Sequence, residues 1–314
     1  MVKEIDERIQ AIDAEIEDLS SKEAVDEAQI YVLRREKHEL IKMCRDLTPH
    51  DKVYIARHKK RPKVTEYISN IFEDFFEQRG DDLGKEDMSI YGGIATFHGV
   101  PVTVIGHRKG NDLNENLKVN FGMPGPEGYR KALRLMKQAE KFGRPVITFI
   151  DTPGAYPGLE AEMYGQGTAI ANNLAKMSDL KVPVIAIVTG EGSSGGALAL
   201  GVANTVLMLE NSVYSILSPE GYASILWKDS SRSEEACELM KLTAQDLLGF
   251  GVIDDIIPEP LGGAHLNPKM VFKTVDRYLR RELEKYIKAG PEEIAKQRYK
   301  KFRLIDEKYL AEKA

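Results

Sequence analysis

The sequence is poor in cysteine and has no long apolar run. Only two of its 314 residues are cysteines, Cys44 and Cys237, and they lie far apart. Two isolated thiols cannot supply a four-thiolate zinc site, and nothing indicates a disulfide framework. No segment approaches the roughly 18 apolar residues that span a bilayer, and the charged start lacks the apolar core of a signal peptide. We therefore expect a cytoplasmic protein without membrane segments.

The remaining composition is typical of a globular protein. Hydrophobic residues make up 42% and charged residues 30% of the chain, which is enough to bury a substantial core. The net charge of −5 gives no reason to expect nucleic acid as the main partner. We interpret the acid-rich residues 1–47 and the basic residues 269–314 as solvated helix faces rather than binding tails.

Two helical segments are predicted at the N-terminus. Five apolar residues recur there at alternating spacings of four and three: Ile5, Ile9, Ile12, Ile16 and Leu19. They form one apolar seam on an otherwise charged helix. Because a second helical pattern follows Ser20 and Ser21, we expect residues 1–50 to form a helical hairpin and residues 51–314 a second domain. The sequence does not decide whether the seam packs on its own chain or on another.

A basic connector follows, ending in His58-Lys-Lys-Arg-Pro-Lys63. We interpret it as a solvated linker in preference to a patch for ligand phosphates. Thr65 is a candidate cap for a helix over residues 66–79, where isoleucine and phenylalanine side chains form an apolar face.

From Gly92 onward, strands and helices alternate. The predicted strands are residues 94–97, 102–105, 146–150, 182–188, 205–209 and 214–217. The predicted helices between them are residues 126–141, 161–177 and 197–202, and the chain is helical and charged from Pro268. This alternation predicts an α/β core with helices packed against a sheet.

Two loops follow predicted buried strands, where α/β proteins usually place their sites. The loop over residues 151–158 holds two prolines and two glycines, which fix its path and leave little side chain in the way of a ligand. The loop over residues 190–196 places Gly195 and Gly196 between a strand and a helix, where N–H groups lack intrahelical partners. Such donors suit an anion or a developing oxyanion. A tight turn without chemistry stays the alternative.

The second loop also contains a serine-hydrolase pattern. Residues 192–196 satisfy G-x-S-x-G, with Ser194 as the candidate nucleophile between a strand and a helix. His265 and the pair Asp254-Asp255 follow in hydrolase order. Because the pattern is short and small residues are common in such turns, a serine hydrolase is kept as the alternative function. We interpret His98 and His107 as ordinary turn or surface histidines.

A set of short segments occurs in a family-specific order over roughly residues 50 to 305. They are residues 120–123, 126–131, 149–158, 190–192, 194–198, 214–216, 218–221 and 257–265. Together they resemble the alpha chain of acetyl-CoA carboxylase carboxyltransferase, in the crotonase-like superfamily. The resemblance implies an α/β spiral of ββα units, with an N-terminal helical hairpin and C-terminal helices.

The resemblance also implies the reaction and its partners. Carboxybiotin, held on the biotin carboxyl carrier protein and loaded by biotin carboxylase, would donate its carboxyl group to acetyl-CoA. The product would be malonyl-CoA, in the first committed step of fatty acid biosynthesis. The active site would lie between this chain and a beta chain with a four-cysteine zinc ribbon, in an α2β2 assembly. This sequence lacks such a cysteine set, so we expect no metal in this chain.

The site residues are carried over from the matching loops. Gly195 and Gly196 would be the oxyanion donors for the biotin enolate. The expected substrate-binding residues are Gly154, Ala155, Tyr156, Gly158, Gly192 and Ser194. The chain departs from the family at Ser193, where glycine is usual, and at Met163-Tyr164, where a Glu-Arg pair is usual.

Two further alternatives stay open at this point. A stand-alone crotonase-like hydratase or decarboxylase would need side-chain carboxylates near the glycine loop, and Glu191 and Glu220 are the candidates. A non-catalytic scaffold is the other alternative, which the intact glycine loop makes less attractive.

Overall fold

The computed structural model describes residues 2–22 and 25–305. Helices α1 (Val2–Ser20) and α2 (Glu27–Met43) pack against each other, as expected for a hairpin. One half of the apolar seam faces α2, where Ile12 lies among buried residues of both helices. The other half packs on the chain itself, since Ile5 and Ile9 share a buried cluster with Ile55. Whether the hairpin is a separate domain stays a prediction; Met1 and residues 23–24 lie outside the described residues.

The basic connector is not a solvated linker. It joins helix α3 (Pro49–Ala56) to helix α4 (Val64–Ile71). Within it, His58, Arg61 and Lys63 are buried. The connector therefore packs into the protein, which corrects the expectation from its charge.

The helix expected over residues 66–79 is only half correct. Helix α4 ends at Ile71, and residues Glu73–Glu77 form strand β1, paired antiparallel to the next strand. Aromatic side chains favour a pleated surface over a helix, and the neighbouring strand offers a free edge. Phe75 uses this position to pack on Tyr91, with 5.1 Å between the ring centroids.

One eight-stranded sheet forms the centre of the chain. Its further strands are β2 (Ile90–Phe97), β3 (Val100–His107), β4 (Val146–Thr152), β5 (Val184–Ser193), β6 (Thr205–Leu209), β7 (Val213–Ser215) and β8 (Asp255–Ile257). Strands β1, β2 and β3 are antiparallel, and β3, β4, β5, β6 and β8 continue the sheet in parallel. Strand β7 pairs with the last residues of β5.

Helices cover both faces of this sheet. The helices that follow β3 along the chain are α5 (Leu113–Lys118), α6 (Pro126–Lys141), α7 (Leu159–Met163), α8 (Gln166–Asp179), α9 (Ser194–Leu198), α10 (Pro219–Trp227), α11 (Ser233–Met240), α12 (Ala244–Gly249), α13 (Pro268–Tyr286) and α14 (Pro291–Arg303). Helices α4 and α13 bury one face of the sheet, while α6, α8 and α9 bury the other. The helix expected over residues 161–177 is interrupted at Gly165, whose φ of +83° is left-handed.

The described helices include none that is both long and apolar enough to cross a membrane. Residues 306–314, which belong to the expected C-terminal extension, lie outside the described residues.

Candidate active site

The two loops singled out in the sequence meet at the ends of β4 and β5. These strands are parallel neighbours, and Thr152 is paired with Gly192 where the loops begin. A Cβ atom on Gly196 would lie 2.6 Å from the backbone nitrogen of Ala155 and 2.6 Å from the carbonyl carbon of Gly154. Real Cβ atoms do not approach backbone this closely, so only glycine allows the two loops to touch.

The second loop is shorter than expected. Residues 189–193 continue strand β5, which is buried along its whole length. Its end pairs with β7, and a Cβ atom on Gly192 would lie 3.0 Å from the ring of Tyr214. The chain then turns at Ser194, which has a φ of +54°. A non-glycine residue in this region stores strain, a feature that clusters at functional turns.

Helix α9 begins directly at this turn. Gly195 and Gly196 lie in its first turn, so their N–H groups have no partner within the helix. Gly196 is buried against the first loop, whereas Gly195 is partly exposed. Gly195 and Ser194 border a cavity of about 340 Å³. The other lining residues are mainly apolar: Leu198, Tyr214, Ser215, Ile216, Leu247 and Val252.

The first loop is held in place by hydrogen bonds that its backbone N–H groups donate. The Thr152 hydroxyl accepts a hydrogen bond from the Gly154 N–H at 3.0 Å, and the Tyr156 N–H donates to the Pro124 carbonyl at 3.0 Å. A Cβ atom on Gly158 would lie 2.3 Å from the Tyr156 ring, so this glycine makes room for the tyrosine. The structure thus brings Gly154 and Ala155 to Gly196, and it places Tyr156 and Gly158 against each other.

A chain of charged side chains lies beside the two loops. Lys109 donates to Asp151 at 2.7 Å and to Glu191 at 3.1 Å. Arg57 binds Glu191 at 2.6 Å and Glu220 at 2.7 Å. Asp151 also accepts the Glu191 backbone N–H at 3.0 Å, so one carboxylate joins the ends of β4 and β5. These bonds fix the positions from which both loops start.

This network fixes the charge state of the carboxylates. Burial alone would raise the pKa of Glu191, but Lys109 and Arg57 hold it below its ordinary value. Burial would likewise raise the pKa of Glu220, and hydrogen bonding to Arg57 lowers it. Both carboxylates are therefore ionised and paired at neutral pH, which does not suit a general acid. The geometry gives no support to a stand-alone hydratase or decarboxylase that uses them.

Sequence reasoning missed Arg57, Lys109 and Asp151 as site residues. Each lies far from its partners along the chain, so no local motif joins them. The available signal was the position of Asp151 at the end of a predicted buried strand.

His107 is not the turn or surface histidine that we expected. It is the last residue of β3, and it is 1% exposed. Both of its ring nitrogens are buried, and the imidazole lies beside the backbone of Gly196 and Phe149. Burial lowers the pKa of His107 to about 4, although the nearby Asp151 opposes the shift. The imidazole is therefore neutral at pH 7. His98 is exposed, as expected, and binds Asp276 at 2.8 Å.

We predict that His107 makes the protein less stable in mild acid. Its pKa is lower in the folded chain than the 6.5 of the unfolded chain, so the unfolded chain binds more protons below pH 6.5. The free energy of unfolding should fall by about 2 kcal/mol between pH 7 and pH 5 through this residue. Urea unfolding of the wild type and of His107→Leu, at pH 7 and at pH 5, measures this fall in the free energy of unfolding. If the free energy of unfolding falls equally in both proteins, the prediction is wrong.

The candidate catalytic histidine of a hydrolase is engaged elsewhere. The Nε2 atom of His265 binds Asp6 at 3.1 Å, and the His58 Nε2 binds the other oxygen of Asp6 at 3.0 Å. The candidate acids are also occupied, since Asp254 accepts the Val206 N–H and the Asp255 carboxylate pairs with Arg281. The turn at Ser194 resembles a nucleophile elbow, but no histidine or acid of the expected triad is available to it.

Asp6, His58 and His265 are close enough together to resemble a metal-ligand set. The hydrogen bonds favour another interpretation. The backbone N–H of Lys60 donates to His58 Nδ1 at 3.2 Å, so a neutral His58 carries its proton on the Nε2 atom that faces Asp6. That nitrogen donates to the carboxylate and has no free lone pair for a metal. The cluster therefore fastens α1 to the core as a hydrogen-bonded group.

Comparison with known proteins identifies the family. The family model for acetyl co-enzyme A carboxylase carboxyltransferase-like proteins matches residues 2–306. The acetyl-coenzyme A carboxylase carboxyl transferase subunit alpha of Geobacillus kaustophilus is 56% identical over 93% of this chain and 86% of its own length. That of Clostridium acetobutylicum is 58% identical over 83% of this chain and 95% of its own length. The chain belongs to the acetyl-CoA carboxylase carboxyltransferase family.

Solved structures confirm the crotonase-like carboxyltransferase fold. The transcarboxylase 12S hexamer core, with methylmalonyl-coenzyme A bound, has a TM-score of 0.56 and 19% identity over 75% of this chain and 46% of its own. A Pseudomonas malonate decarboxylase hetero-tetramer in complex with coenzyme A has a TM-score of 0.59 and 16% identity over 75% of this chain and 93% of its own. The acetyl-CoA carboxylase family is biotin-dependent, and the name "subunit alpha" implies a beta subunit in those enzymes.

Proposed function

We propose that the chain is the alpha subunit of acetyl-CoA carboxylase carboxyltransferase, which transfers a carboxyl group from carboxybiotin to acetyl-CoA and yields malonyl-CoA. The observation that carries this proposal is the contact between the two loops at Gly196, next to a helix start whose N–H groups have no intrahelical partners. The reaction would take place in the cytoplasm.

The cavity beside the backbone N–H groups of Gly195 and Gly196 suits a biotin ring. The cavity at Gly195 has apolar walls, including Leu198 and Val252, and only a few polar groups. Ligand pockets commonly combine such walls with a small number of well-placed donors. Carboxybiotin, when bound, supplies the carboxyl group. The N–H groups of Gly195 and Gly196 would hold the negative charge that develops on its ureido oxygen, which is the role of an oxyanion hole.

The chain itself contributes placement and electrostatics to this reaction. Glu191 lies immediately before Gly192, but its charge is fixed by Lys109 and Arg57. The histidine and the acids expected to activate Ser194, namely His265, Asp254 and Asp255, bind other residues. Fixed dipoles at the site act without reorganisation during the reaction, so they stabilise developing charge efficiently.

The same face suits a partner subunit. Ile216 and Leu198 line the cavity and are 77% and 38% exposed. On α10, Ile225 and Leu226 are 67% and 54% exposed. Exposed apolar surface at a binding site commonly marks a protein interface. The proposal therefore includes a beta subunit on this face in an α2β2 assembly, to which the biotin carboxyl carrier protein delivers the carboxybiotin that biotin carboxylase forms.

Reconstitution with a candidate beta chain tests this function. The two chains are co-expressed and purified, and biotin-dependent malonyl-CoA formation is measured. We expect activity from the complex and none from the alpha chain alone. A purified alpha chain that turns over acyl-CoA without a partner would instead favour the stand-alone enzyme.

We predict that Ser194→Ala retains most carboxyltransferase activity in this assay. The Ser194 side chain is exposed, whereas the backbone of the turn supplies the donors. A fluorophosphonate probe should not label the wild-type serine. If Ser194→Ala removes activity while the chain stays folded and bound to its partner, the hydrolase alternative gains and the amide mechanism fails.

A further inference from the structure

A second cavity lies on the other side of the charged network. Its volume is about 530 Å³, and Lys109, Asp151 and Glu191 form part of its wall. The basic connector forms another part, through Lys59 and Lys63. The function proposed for the two loops makes no use of this connector wall.

The charges of the network and of the connector differ in one respect. Asp151 and Glu191 are neutralised by Lys109 and Arg57. In residues 2–22 and 25–305, by contrast, no carboxylate forms an ion pair with Lys59 or Lys63. The cavity wall therefore carries two ammonium groups whose charge is not balanced by an ion pair.

Lys63 is the more informative of the two because it is 6% exposed. Its Nζ donates to the carbonyl oxygens of Lys59 and Arg61, each at 2.7 Å. These bonds fix the ammonium at the cavity wall and use two of its three N–H donors. Asp151 and Glu66 attract this ammonium without forming an ion pair with it, while Lys109 and Arg61 repel it. The cost of its burial is therefore only partly offset, and an anion from solution would offset more of it.

The remaining carboxylate of the cavity wall does not serve as this counter-charge. Asp112 accepts the backbone N–H of Glu115 at 2.8 Å and caps helix α5. The cap satisfies one oxygen of Asp112 at a helix N-terminus, where a carboxylate is already stabilised.

We propose that Lys59 and Lys63 bind a phosphate-class anion, a phosphate monoester or a diphosphate, in this cavity. Two separate ammonium groups act as point charges and match the several oxygens of a phosphate. A planar carboxylate is better matched by the fork of an arginine. The phosphate could belong to a CoA substrate or be free in solution. Only the first source rests on the proposed function.

Calorimetric titration of the full chain with inorganic pyrophosphate, at low salt, tests the site. We expect saturable binding, and we expect Lys63→Met to raise Kd at least about 10-fold, as for the loss of a charge-assisted bond. Lys60→Met is the matched control because it removes the same charge from the same run outside this cavity. It should change Kd by less than about 2-fold. Absence of saturable binding, or equal weakening by Lys60→Met and Lys63→Met, overturns the proposal.

Two further variants guard against a folding artefact. Lys59 is exposed, so Lys59→Met should leave the melting temperature unchanged and still weaken binding. Lys63→Arg keeps the charge and should retain more binding than Lys63→Met. If Lys63→Met does not fold, the Lys59→Met variant tests the site instead. Pyrophosphate binding by Lys59→Met with the same Kd as the wild type would then reject the site.

Titrations with CoA, dephospho-CoA and pantetheine then separate the two sources. If Lys63→Met weakens the binding of CoA but not the binding of pantetheine, which has no phosphate, the site binds a phosphate of CoA. Lys63-dependent binding of pyrophosphate alone assigns it to free phosphate. Because these are equilibrium measurements on the chain itself, a failed carboxyltransferase assay leaves them interpretable.

Discussion

Gly196→Pro should lower malonyl-CoA formation by the reconstituted enzyme about 10²–10³-fold, as expected for the loss of one oxyanion donor. The substitution deletes the N–H group that we assign to the developing charge. It also places ring atoms between the two loops, where even a Cβ atom would lie 2.6 Å from the Ala155 nitrogen. Rates are measured at saturating acetyl-CoA, so that the loss is read in kcat rather than in binding.

Two comparisons make this prediction specific. Gly196→Ala keeps the N–H but inserts the Cβ atom, so its loss of activity measures the contact between the loops alone. Gly167→Ala, in helix α8, is the control for a glycine substitution, because a Cβ atom there meets nothing within 4 Å. All variants are checked for melting temperature and for assembly with the beta chain. A folded, assembled Gly196→Pro enzyme with a wild-type rate would exclude the amide mechanism.

The sequence predicted those elements whose pattern is local and strong. Helix α6 was expected over residues 126–141 and occupies Pro126–Lys141, because a proline in its first turn and a glycine after its end mark both limits. Strand β6 was expected over residues 205–209 and is found there, since a short apolar run bounded by polar residues has few alternatives. The family resemblance then supplied the crotonase-like topology.

Elements that depend on distant partners were predicted less well. The sequence predicts a helix where strand β1 lies, because the partner strand of β1, and not its own pattern, decides its conformation. Strand β5 extends to Ser193 because β7 pairs with glycine-rich residues that look like a loop in isolation. Gly165 divides a continuous helical pattern through one left-handed φ angle.

In the candidate site, too, features that depend on local sequence were predicted better than contacts between distant residues. The glycines could be named from the sequence, because their role is to leave space for backbone contacts. Glu191 and Glu220 could be named as candidate carboxylates, but their partners Arg57 and Lys109 could not, since the four residues come from four separate segments of the chain. His265 was a possible catalytic base in the sequence, and only the fold shows that it binds Asp6 instead.

Arg61→Met should lower the free energy of unfolding by about 3–5 kcal/mol, because it leaves a buried carboxylate without its counter-charge. The Arg61 and Glu259 side chains are 2% and 0% exposed, and both ends of the guanidinium bind the carboxylate, at 2.5 Å and 3.0 Å. The Arg61 Nε also donates to the Thr189 carbonyl at 2.5 Å, in the strand that leads to the glycine turn. Denaturant unfolding at pH 7 measures the loss.

Two variants separate a buried charge from an ordinary ion pair. Arg280→Met breaks the exposed pair with Glu284, 3.1 Å apart, and should cost only about 0.2–1 kcal/mol. Adding Glu259→Gln to Arg61→Met removes the unpaired charge. The N–H groups of Asn211 and Ala264 bind different oxygens of Glu259, so the new amide oxygen keeps one of these two bonds. The double variant should therefore be more stable than Arg61→Met alone. If it is less stable, Glu259 contributes mainly through those two backbone bonds, and the arginine is not its essential partner.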